Sequence, residues 1–169
     1  MEIEMLDLVD ENDNVIGIEE RNTALKQKRN NIRVINIFIT TSDNKIIVPL
    51  RSPNRRIFPN CYDFSVGGFV TSGDDYEKTA YKELEEELGI RNVKLEEIGY
   101  FKPSDINTAC FSKLYKFTYD GYLDYDKDGI SEILYFTKEE IKDKLIKIPE
   151  KFKRDYNELF TWALNNSKI

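Results

Sequence analysis

The 169-residue chain has no histidine, only two cysteines and one tryptophan. Without histidine, the most usual general base is missing and any metal site has to be built from oxygen ligands. Cys61 and Cys110 are separated in the sequence and fit no metal-binding spacing, so two free thiols in a reducing cytoplasm are expected. No apolar run approaches the roughly 18 residues of a membrane span, and the acidic N-terminus lacks the basic-then-apolar order of a signal peptide. The sequence therefore predicts a cytoplasmic protein with no membrane partner.

Positive charge is also in short supply, because 25 Lys and Arg face 31 Asp and Glu, which gives a formal net charge of −6. Duplex nucleic acid is bound largely through cationic contacts to phosphate, so an acidic chain is a poor candidate for it. What the chain does have is apolar material: 40% of its residues are hydrophobic, including ten Phe and ten Tyr, enough for a real core. Its length favours a single domain over residues 1–169.

The segment from Gly67 to Ile90, GGFVTSGDDYEKTAYKELEEELGI, organises the chain, and its second half has the period of an amphipathic helix. One arc of that helix is apolar and the neighbouring arc carries Glu83, Glu86 and Glu87. Like charges at i, i+3 and i+4 destabilise a helix by roughly 0.2–0.5 kcal/mol per pair. A hard divalent cation such as Mg²⁺ would relieve that repulsion. The alternative interpretation, a solvated acidic face, is favoured only when the helix is taken without its flanking glycines.

Counted from Gly68, this segment resembles the Nudix box, G-x5-E-x7-R-E-U-x-E-E-x-G-U with U aliphatic. Seven of the nine fixed positions match, namely Gly68, Glu83, Leu84, Glu86, Glu87, Gly89 and Ile90. The two departures keep their charge: Asp74 stands for the Glu and Lys82 for the Arg. In the family these two residues form a structural ion pair. A Lys–Asp pair is expected to be a weaker brace, because lysine lacks the bidentate fork of arginine.

The resemblance implies a Nudix fold, which is an α/β (α+β) domain with a mixed sheet sandwiched between helices. It also implies hydrolysis of a diphosphate linked to a further moiety, by attack of water on phosphorus. Glu86 and Glu87 are then the principal Mg²⁺ ligands, with Mn²⁺ as a substitute ion. Glu83 is a ligand or an orienting partner, and the Gly67 carbonyl is a further oxygen ligand. Homodimers are frequent among Nudix proteins, so a homodimer is one expected assembly.

Two residues are expected to bind the small-molecule diphosphate. Gly68 has no Cβ atom, so the backbone there can approach a ligand closely. In Nudix proteins an arginine just past the strand that corresponds to residues 45–50 contacts substrate phosphate, and Arg51 holds the similar place. For Arg55 and Arg56, in the same proline-containing loop, ordinary solvation is the favoured interpretation over a ligand role.

The catalytic base varies within the family and often comes from a late loop or strand. In a chain without histidine it has to be a carboxylate, or a metal-bound hydroxide with no dedicated side chain. Glu132 and Asp128 are the stronger candidates, and Asp124 and Asp126 are the weaker ones. For each of the four taken singly, an exposed acidic loop is the alternative.

The pattern of apolar residues and turn residues predicts the elements around the box. Strands are predicted at 3–9, 15–18, 33–41, 45–50, 62–70, 91–102, 110–119 and 130–136. The first two form an N-terminal hairpin within residues 1–20. Beyond the box helix, with Asp75 as the preferred N-cap and Asp74 as the alternative, C-terminal helices are predicted within about 138–166. The last of them begins near residue 151, and Thr137 with Glu140 makes a capping box for the first.

This layout resembles the isopentenyl-diphosphate isomerase-like branch of the Nudix family. The isomerase needs histidine ligands and a catalytic cysteine, and the corresponding positions here are Ile32 and the stretch 65–68, SVGG. Isomerase activity is therefore excluded, and Mg²⁺-dependent hydrolysis of a phosphoanhydride bond is the predicted function. The alternative is a Nudix-fold module that binds a nucleotide or a protein without cleaving it, which the retained box carboxylates disfavour.

Overall fold

The structure is a computed structural model that describes residues 3–169, so the first two residues of the predicted hairpin lie outside the described part. The elements, in chain order, are β1 (Met5–Val9), β2 (Val15–Glu20), α1 (Arg21–Lys26), β3 (Arg33–Thr40), β4 (Lys45–Arg51), β5 (Val66–Phe69), α2 (Tyr76–Leu88), β6 (Glu96–Phe101), β7 (Phe111–Thr118), β8 (Ile130–Thr137), α3 (Lys138–Lys147), a 3-10 turn (Pro149–Lys151) and α4 (Tyr156–Asn165). None of the helices across residues 3–169 combines the length and apolar character needed to cross a membrane.

The main sheet is mixed and has the strand order β6-β7-β3-β4-β8, with β5 paired to β3. β3 and β7 run parallel in continuous register, from Arg33 opposite Phe111 to Thr40 opposite Thr118. The remaining pairs of this sheet are antiparallel. β1 and β2 form a separate two-stranded sheet.

Helices cover both faces of the main sheet. Side chains alternate between the two faces along each strand, so one strand can pack against helices on both sides. Ile35 and Ile37 of β3 pack in a cluster with the apolar side of α2. Phe38 packs in a second cluster with Tyr156 and Phe160 of α4. The mixed sheet between helices that the sequence predicts is thus confirmed.

One edge of β3 changes partner along its length, which opens a fork in the sheet. Residues 34–37 pair with β5, whereas Thr40 pairs with Ile46 of β4. The Ser65 hydroxyl lies in this fork, where it accepts from the Ile39 N–H at 2.9 Å and donates to the Ile47 carbonyl at 2.5 Å. These bonds satisfy two backbone groups that the diverging strands leave without a ladder partner.

The helix caps follow the predicted residues. Asp75 is the N-cap of α2 and accepts from the Lys78 N–H at 2.8 Å. Gly89 ends the helix in the left-handed region, with φ of +68°, where a glycine is favoured. Thr137 and Glu140 form the reciprocal capping box of α3.

The prediction for the last helix was wrong at its start, since α4 begins at Tyr156 and not near residue 151. Phe152 instead forms a parallel bridge with Tyr62, and the Lys153 N–H donates to the Tyr62 carbonyl at 2.8 Å. Asp155, with φ of +68°, then turns the chain into the helix. Residues 152–155 therefore separate the 3-10 turn from α4, with an extended start at Phe152 and a turn at its end. The strand predicted at 62–70 is likewise shorter, because β5 begins only at Val66.

Candidate active site

Two glycines of β5 lie against the carboxylate-bearing side of α2. A Cβ atom on Gly68 would overlap the carboxyl group of Glu83. The Gly67 N–H donates to Glu87 Oε2 at 3.4 Å. Because neither glycine has a positive φ, the requirement at both positions is close approach and not an unusual backbone conformation. At Gly68 that close approach is used by Glu83.

The surroundings of the box carboxylates penalise their ionised forms. Burial, followed by the charge of Glu86, raises the pKa of Glu83 to about 7. Burial, followed by the charges of Asp63 and Glu83, raises the pKa of Glu87 to about 8. Glu86 itself is exposed. A cation placed among these groups would lower both pKa values by favouring the charged carboxylates.

The donor set fits a hard divalent cation, although the side chains are not gathered around one point. In the described range, residues 3–169, no three acidic side chains are grouped closely enough to form a ready-made ion site. Glu83 lies against Gly68, Glu87 turns to the Gly67 amide, and Glu86 faces solvent. Repulsion between like charges on adjacent turns favours this separation. Carboxylate and carbonyl oxygens on rigid elements are nevertheless the donors that Mg²⁺ and Mn²⁺ prefer.

Arg51 lies at the end of β4 and is engaged by the protein through all three of its nitrogens. Nε donates to the Phe58 carbonyl at 3.0 Å, one terminal nitrogen to Asp63 Oδ2 at 2.6 Å, and the other to the Ile57 carbonyl at 2.8 Å. These bonds fasten the proline-containing loop to the start of the segment that leads into β5. Substrate contact by Arg51 stays a prediction, and it would have to use the remaining N–H groups.

Glu132 is exposed and lies on the opposite face of the sheet from α2. It pairs with Leu50 in the β4–β8 ladder. Its neighbour Ile133 packs with the α2 cluster, whereas Phe136, an even number of positions along, packs with the α4 cluster. Glu132 thus lies across the sheet from α2, and its role as the base stays a prediction.

The acidic loop at 119–129 packs on the C-terminal end of α2. The Asp124 N–H donates to the Leu88 carbonyl at 3.2 Å, and the Asp126 N–H donates to the Glu87 carbonyl at 2.9 Å. These bonds satisfy carbonyls that a helix end leaves without partners. An open groove of about 640 Å³ lies between the loop and the helix, lined by Glu85, Glu86, Gly89, Arg91, Asp124, Tyr125 and Asp126.

The loop arginines differ in their surroundings. Arg55 pairs with Asp126 at 3.3 Å and bonds to the Gly129 carbonyl at the same distance. Its positive charge opposes the rise in the pKa of Glu87, so it lies beside the candidate site and is not simply solvated. Arg56 donates to Asn22 Oδ1 at 2.7 Å, away from the box.

The predicted brace between Asp74 and Lys82 was wrong. Asp74 pairs instead with Lys78, at 2.5 Å between the charged atoms. Lys78 is one helical turn beyond Asp74, whereas Lys82 is a further turn away and out of reach of a short aspartate side chain. The charge of Lys82 lowers the pKa of Glu83, but its side chain is exposed.

Sequence reasoning missed two charged residues beside the glycines. Asp63 is buried, and Lys153 Nζ lies 3.1 Å from its Oδ1. The same Nζ would lie 3.1 Å from a Cβ atom on Gly67, on the side of β5 opposite Glu83. Lys153 comes from the segment after the 3-10 turn, far from the box in the sequence, so no local pattern could have indicated it.

The family profile described as NUDIX domain matches residues 30–156. The chain belongs to the Nudix family. It is 38% identical over 148 residues to a Nudix hydrolase from Nostoc sp., which covers 86% of this chain and 88% of that protein. A Nudix hydrolase from Deinococcus radiodurans is 35% identical over 144 residues, with 82% and 81% of the two chains covered.

Solved structures agree with this membership. The crystal structure of DR0079 from Deinococcus radiodurans superposes with a TM-score of 0.87 at 32% identity, over 94% of this chain and 98% of that one. The Nudix domain of Shewanella oneidensis NrtR, solved with ADP ribose, gives a TM-score of 0.60 at 14% identity, over 86% and 97% of the two chains. The second likeness shows the fold alone. Membership of the Nudix hydrolases places the chain in the general class of enzymes that cleave pyrophosphate bonds.

Proposed function

We propose that this Nudix protein is a Mg²⁺-dependent hydrolase that cleaves a phosphoanhydride bond in a nucleoside diphosphate linked to another moiety, or in a similar organic pyrophosphate. The observation that supports this most directly is the position of Glu83 and Glu87. Both lie against the glycine strand, partly buried and with raised pKa values. Carboxylates whose pKa values are raised by burial and by neighbouring charges are typical of functional sites more than of solvated helix faces.

In this proposal Glu83, Glu86, Glu87 and the Gly67 carbonyl hold the ion. When bound, Mg²⁺ neutralises diphosphate oxygens and makes a bound water a better nucleophile at neutral pH. The helix and the glycine strand hold the backbones of these ligands in place, and the carboxylate side chains have to converge when the ion binds.

The proton of the attacking water needs an acceptor among the chain's own groups. Glu83 lies against Gly68, on the same helix as the principal ligands Glu86 and Glu87. Glu132, in contrast, lies on β8 at the other end of the sheet order from β6 and is exposed. We therefore place Glu83 ahead of Glu132 as the acceptor. A homodimer stays a prediction.

The proposal is tested by incubating the protein with ADP-ribose, dinucleoside polyphosphates and nucleoside triphosphates, with Mg²⁺, with Mn²⁺ and with a chelator. Phosphate or pyrophosphate release is expected only when metal is present. Glu87→Gln is expected to reduce the rate by more than about 100-fold, above the loss that follows removal of an outer-shell partner.

Glu85→Gln is the matched control for that variant, because Glu85 is an exposed carboxyl of the same helix that pairs with Arg91 at 2.6 Å. It is expected to keep the wild-type rate. If Glu87→Gln turned over substrate at the wild-type rate, the assignment of Glu87 as a metal ligand would be wrong. Binding of compounds on the panel without any turnover would favour the alternative, a Nudix-fold binding module.

A further inference from the structure

The segment 152–155 holds Lys153 in a fixed position next to β5. The Lys153 N–H donates to the Tyr62 carbonyl at 2.8 Å, and its own carbonyl accepts from the Tyr156 N–H at 3.1 Å. Phe152 and Tyr156, on either side, are buried in the α4 cluster. The backbone at Lys153 is therefore anchored in both directions, and only its side chain is free to reach towards the sheet.

The amine of Lys153 ends beside Asp63, Phe64 and Gly67. It lies 3.1 Å from Asp63 Oδ1 and 5.9 Å from the centroid of the Phe64 ring. A Cβ atom on Gly67 would lie 3.1 Å from it, so the absence of a side chain at that position leaves room for the ammonium group. The side chain of Lys153 is 21% exposed.

Asp63 does not by itself account for the position of this charge. Its other oxygen, Oδ2, already accepts from Arg51 at 2.6 Å. Across residues 3–169, the one ion pair within 4.0 Å that Lys153 makes is with Asp63, although an ammonium group has three donors. Its charge also opposes the raised pKa values of both Glu83 and Glu87.

We propose that Lys153 binds the diphosphate of the substrate, donating to phosphate oxygens from the side of β5 opposite the α2 carboxylates. This inference rests on the proposed function and names a residue for it. A diphosphate carries several anionic oxygens, and a flexible ammonium with free donors suits them as a point charge. Arg51 is less suited because its nitrogens are engaged, and Arg55 is held by Asp126 and Gly129.

Steady-state kinetics on the best substrate of the panel, at saturating Mg²⁺, test the inference. Lys153→Met is expected to raise KM by about 10–100-fold, the range for loss of a hydrogen bond to a charged group. Its affinity for Mn²⁺ is expected to stay equal or to increase, because a positive charge near the carboxylates is removed. Lys153→Arg is expected to have a KM between those of wild type and Lys153→Met. Lys151→Met is the control, since Lys151 is an exposed lysine of the preceding 3-10 turn.

A purely structural role gives a different pattern. If Lys153 served only to balance Asp63, Lys153→Met would lower the melting temperature while KM stayed within twofold of wild type, and that result would overturn the inference. Wild-type protein that hydrolyses nothing on the panel would instead count against the proposed function.

Labelling of the wild-type protein decides the question if Lys153→Met does not fold or if no substrate is turned over. Reductive methylation of lysines is followed by mass spectrometry with and without methylenediphosphonate plus Mg²⁺. Protection of Lys153, with Lys151 labelled equally in both samples, supports the inference. Equal labelling of Lys153 at a concentration of methylenediphosphonate that is shown by calorimetry to bind overturns it, and so does the absence of any such binding.

Discussion

At the scale of single residues, the contact between Gly68 and Glu83 decides whether the site can form. Since a Cβ atom at Gly68 would overlap the Glu83 carboxyl, Gly68→Ala is expected to displace that side chain. Overpacking of this kind destabilises a protein by about 1–3 kcal/mol. We expect a loss of turnover of at least tenfold together with a lower melting temperature.

Gly17→Ala is the control for this substitution. A Cβ atom there would make an ordinary contact of 3.7 Å with Leu8 Cδ1, far from the site. It is expected to leave turnover unchanged. Wild-type turnover by Gly68→Ala would show that the position of Glu83 does not matter for the reaction.

The raised pKa of Glu87 makes the stability of the metal-free protein depend on pH. The folded value is about 8, above the ordinary 4.5 of a glutamate, so folding favours the protonated form. The resulting stabilisation is complete below about pH 4.5 and is lost as the pH rises towards 8. Melting temperatures are measured with a chelator present. The melting temperature of Glu87→Gln minus that of wild type is therefore expected to increase from pH 5 to pH 8 and to stay constant above pH 8.

Glu85→Gln, which removes an exposed carboxyl, is again the comparison. A difference between Glu87→Gln and wild type that stays constant from pH 5 to pH 9 would contradict this description of the Glu87 environment.

The sequence indicated the residues of the box but not their partners. Glu83, Glu86 and Glu87 could be found because their spacing along one helix is a local pattern. Asp63 and Lys153 could not, since the fold brings them to β5 from separate segments. The same limit applies to the Asp74 brace, because which lysine an aspartate reaches depends on where the helix begins.

At the scale of elements, the cap of α2 supports the whole carboxylate-bearing helix. Asp75→Ala removes the acceptor for the Lys78 N–H, which costs about 0.5–2 kcal/mol for a helix N-cap. For a protein of this size, each kcal/mol lowers the melting temperature by about 2–4 °C. Thermal unfolding is expected to show a decrease in that range.

Asp74→Ala is the neighbouring comparison, because it removes only the i, i+4 pair with an exposed lysine. Such pairs contribute about 0.3–0.5 kcal/mol, so a smaller decrease is expected. A larger effect of Asp74→Ala than of Asp75→Ala would mean that Asp74 is the cap.

Element boundaries were predictable where caps or glycines mark them, as at Asp75, Gly89 and Thr137. The start of α4 was not. Phe152 continues the apolar pattern of the helix, yet it is buried in an extended segment that bridges to Tyr62. An apolar residue at helical spacing does not show which conformation buries it, and here the extended one also positions Lys153.

At the scale of the whole molecule, Asp13 is one of the residues that fasten the N-terminal hairpin to the domain, together with Asp7, which accepts from Ser72 Oγ at 2.6 Å. Asp13, in the hairpin turn, pairs with Arg33 Nε at 2.6 Å and accepts from the hydroxyls of Tyr76 and Tyr100 at 2.9 and 3.1 Å. The charged side chains are only 14% and 15% exposed. Removing one partner of a buried pair costs about 3–5 kcal/mol because the other charge is left uncompensated.

Asp13→Ala is therefore expected to lower the melting temperature strongly and to make the hairpin sensitive to limited proteolysis. Asp43→Ala removes the exposed pair with Lys45 and is expected to have little effect on either measurement. If proteolysis of Asp13→Ala began elsewhere in the chain, the hairpin would be held mainly by its other contacts, such as the hydrogen bond from Ser72 to Asp7.

The order of the strands was beyond the reach of sequence patterns. Alternation identifies a strand and its buried face, but the pairing of β3 with β5 and with β7 joins segments far apart in the chain. The two glycines of β5 leave room for Glu83 on one side of that strand and for Lys153 on the other.

Isothermal titration of Mn²⁺ into wild type, Glu87→Gln and Glu85→Gln tests the central claim most directly, namely that the carboxylates of α2 form a divalent-metal site. Wild type and Glu85→Gln are expected to bind Mn²⁺ with the same affinity, and Glu87→Gln is expected to bind it at least tenfold more weakly. Equal affinities for all three proteins, or no binding heat in wild type, would contradict it.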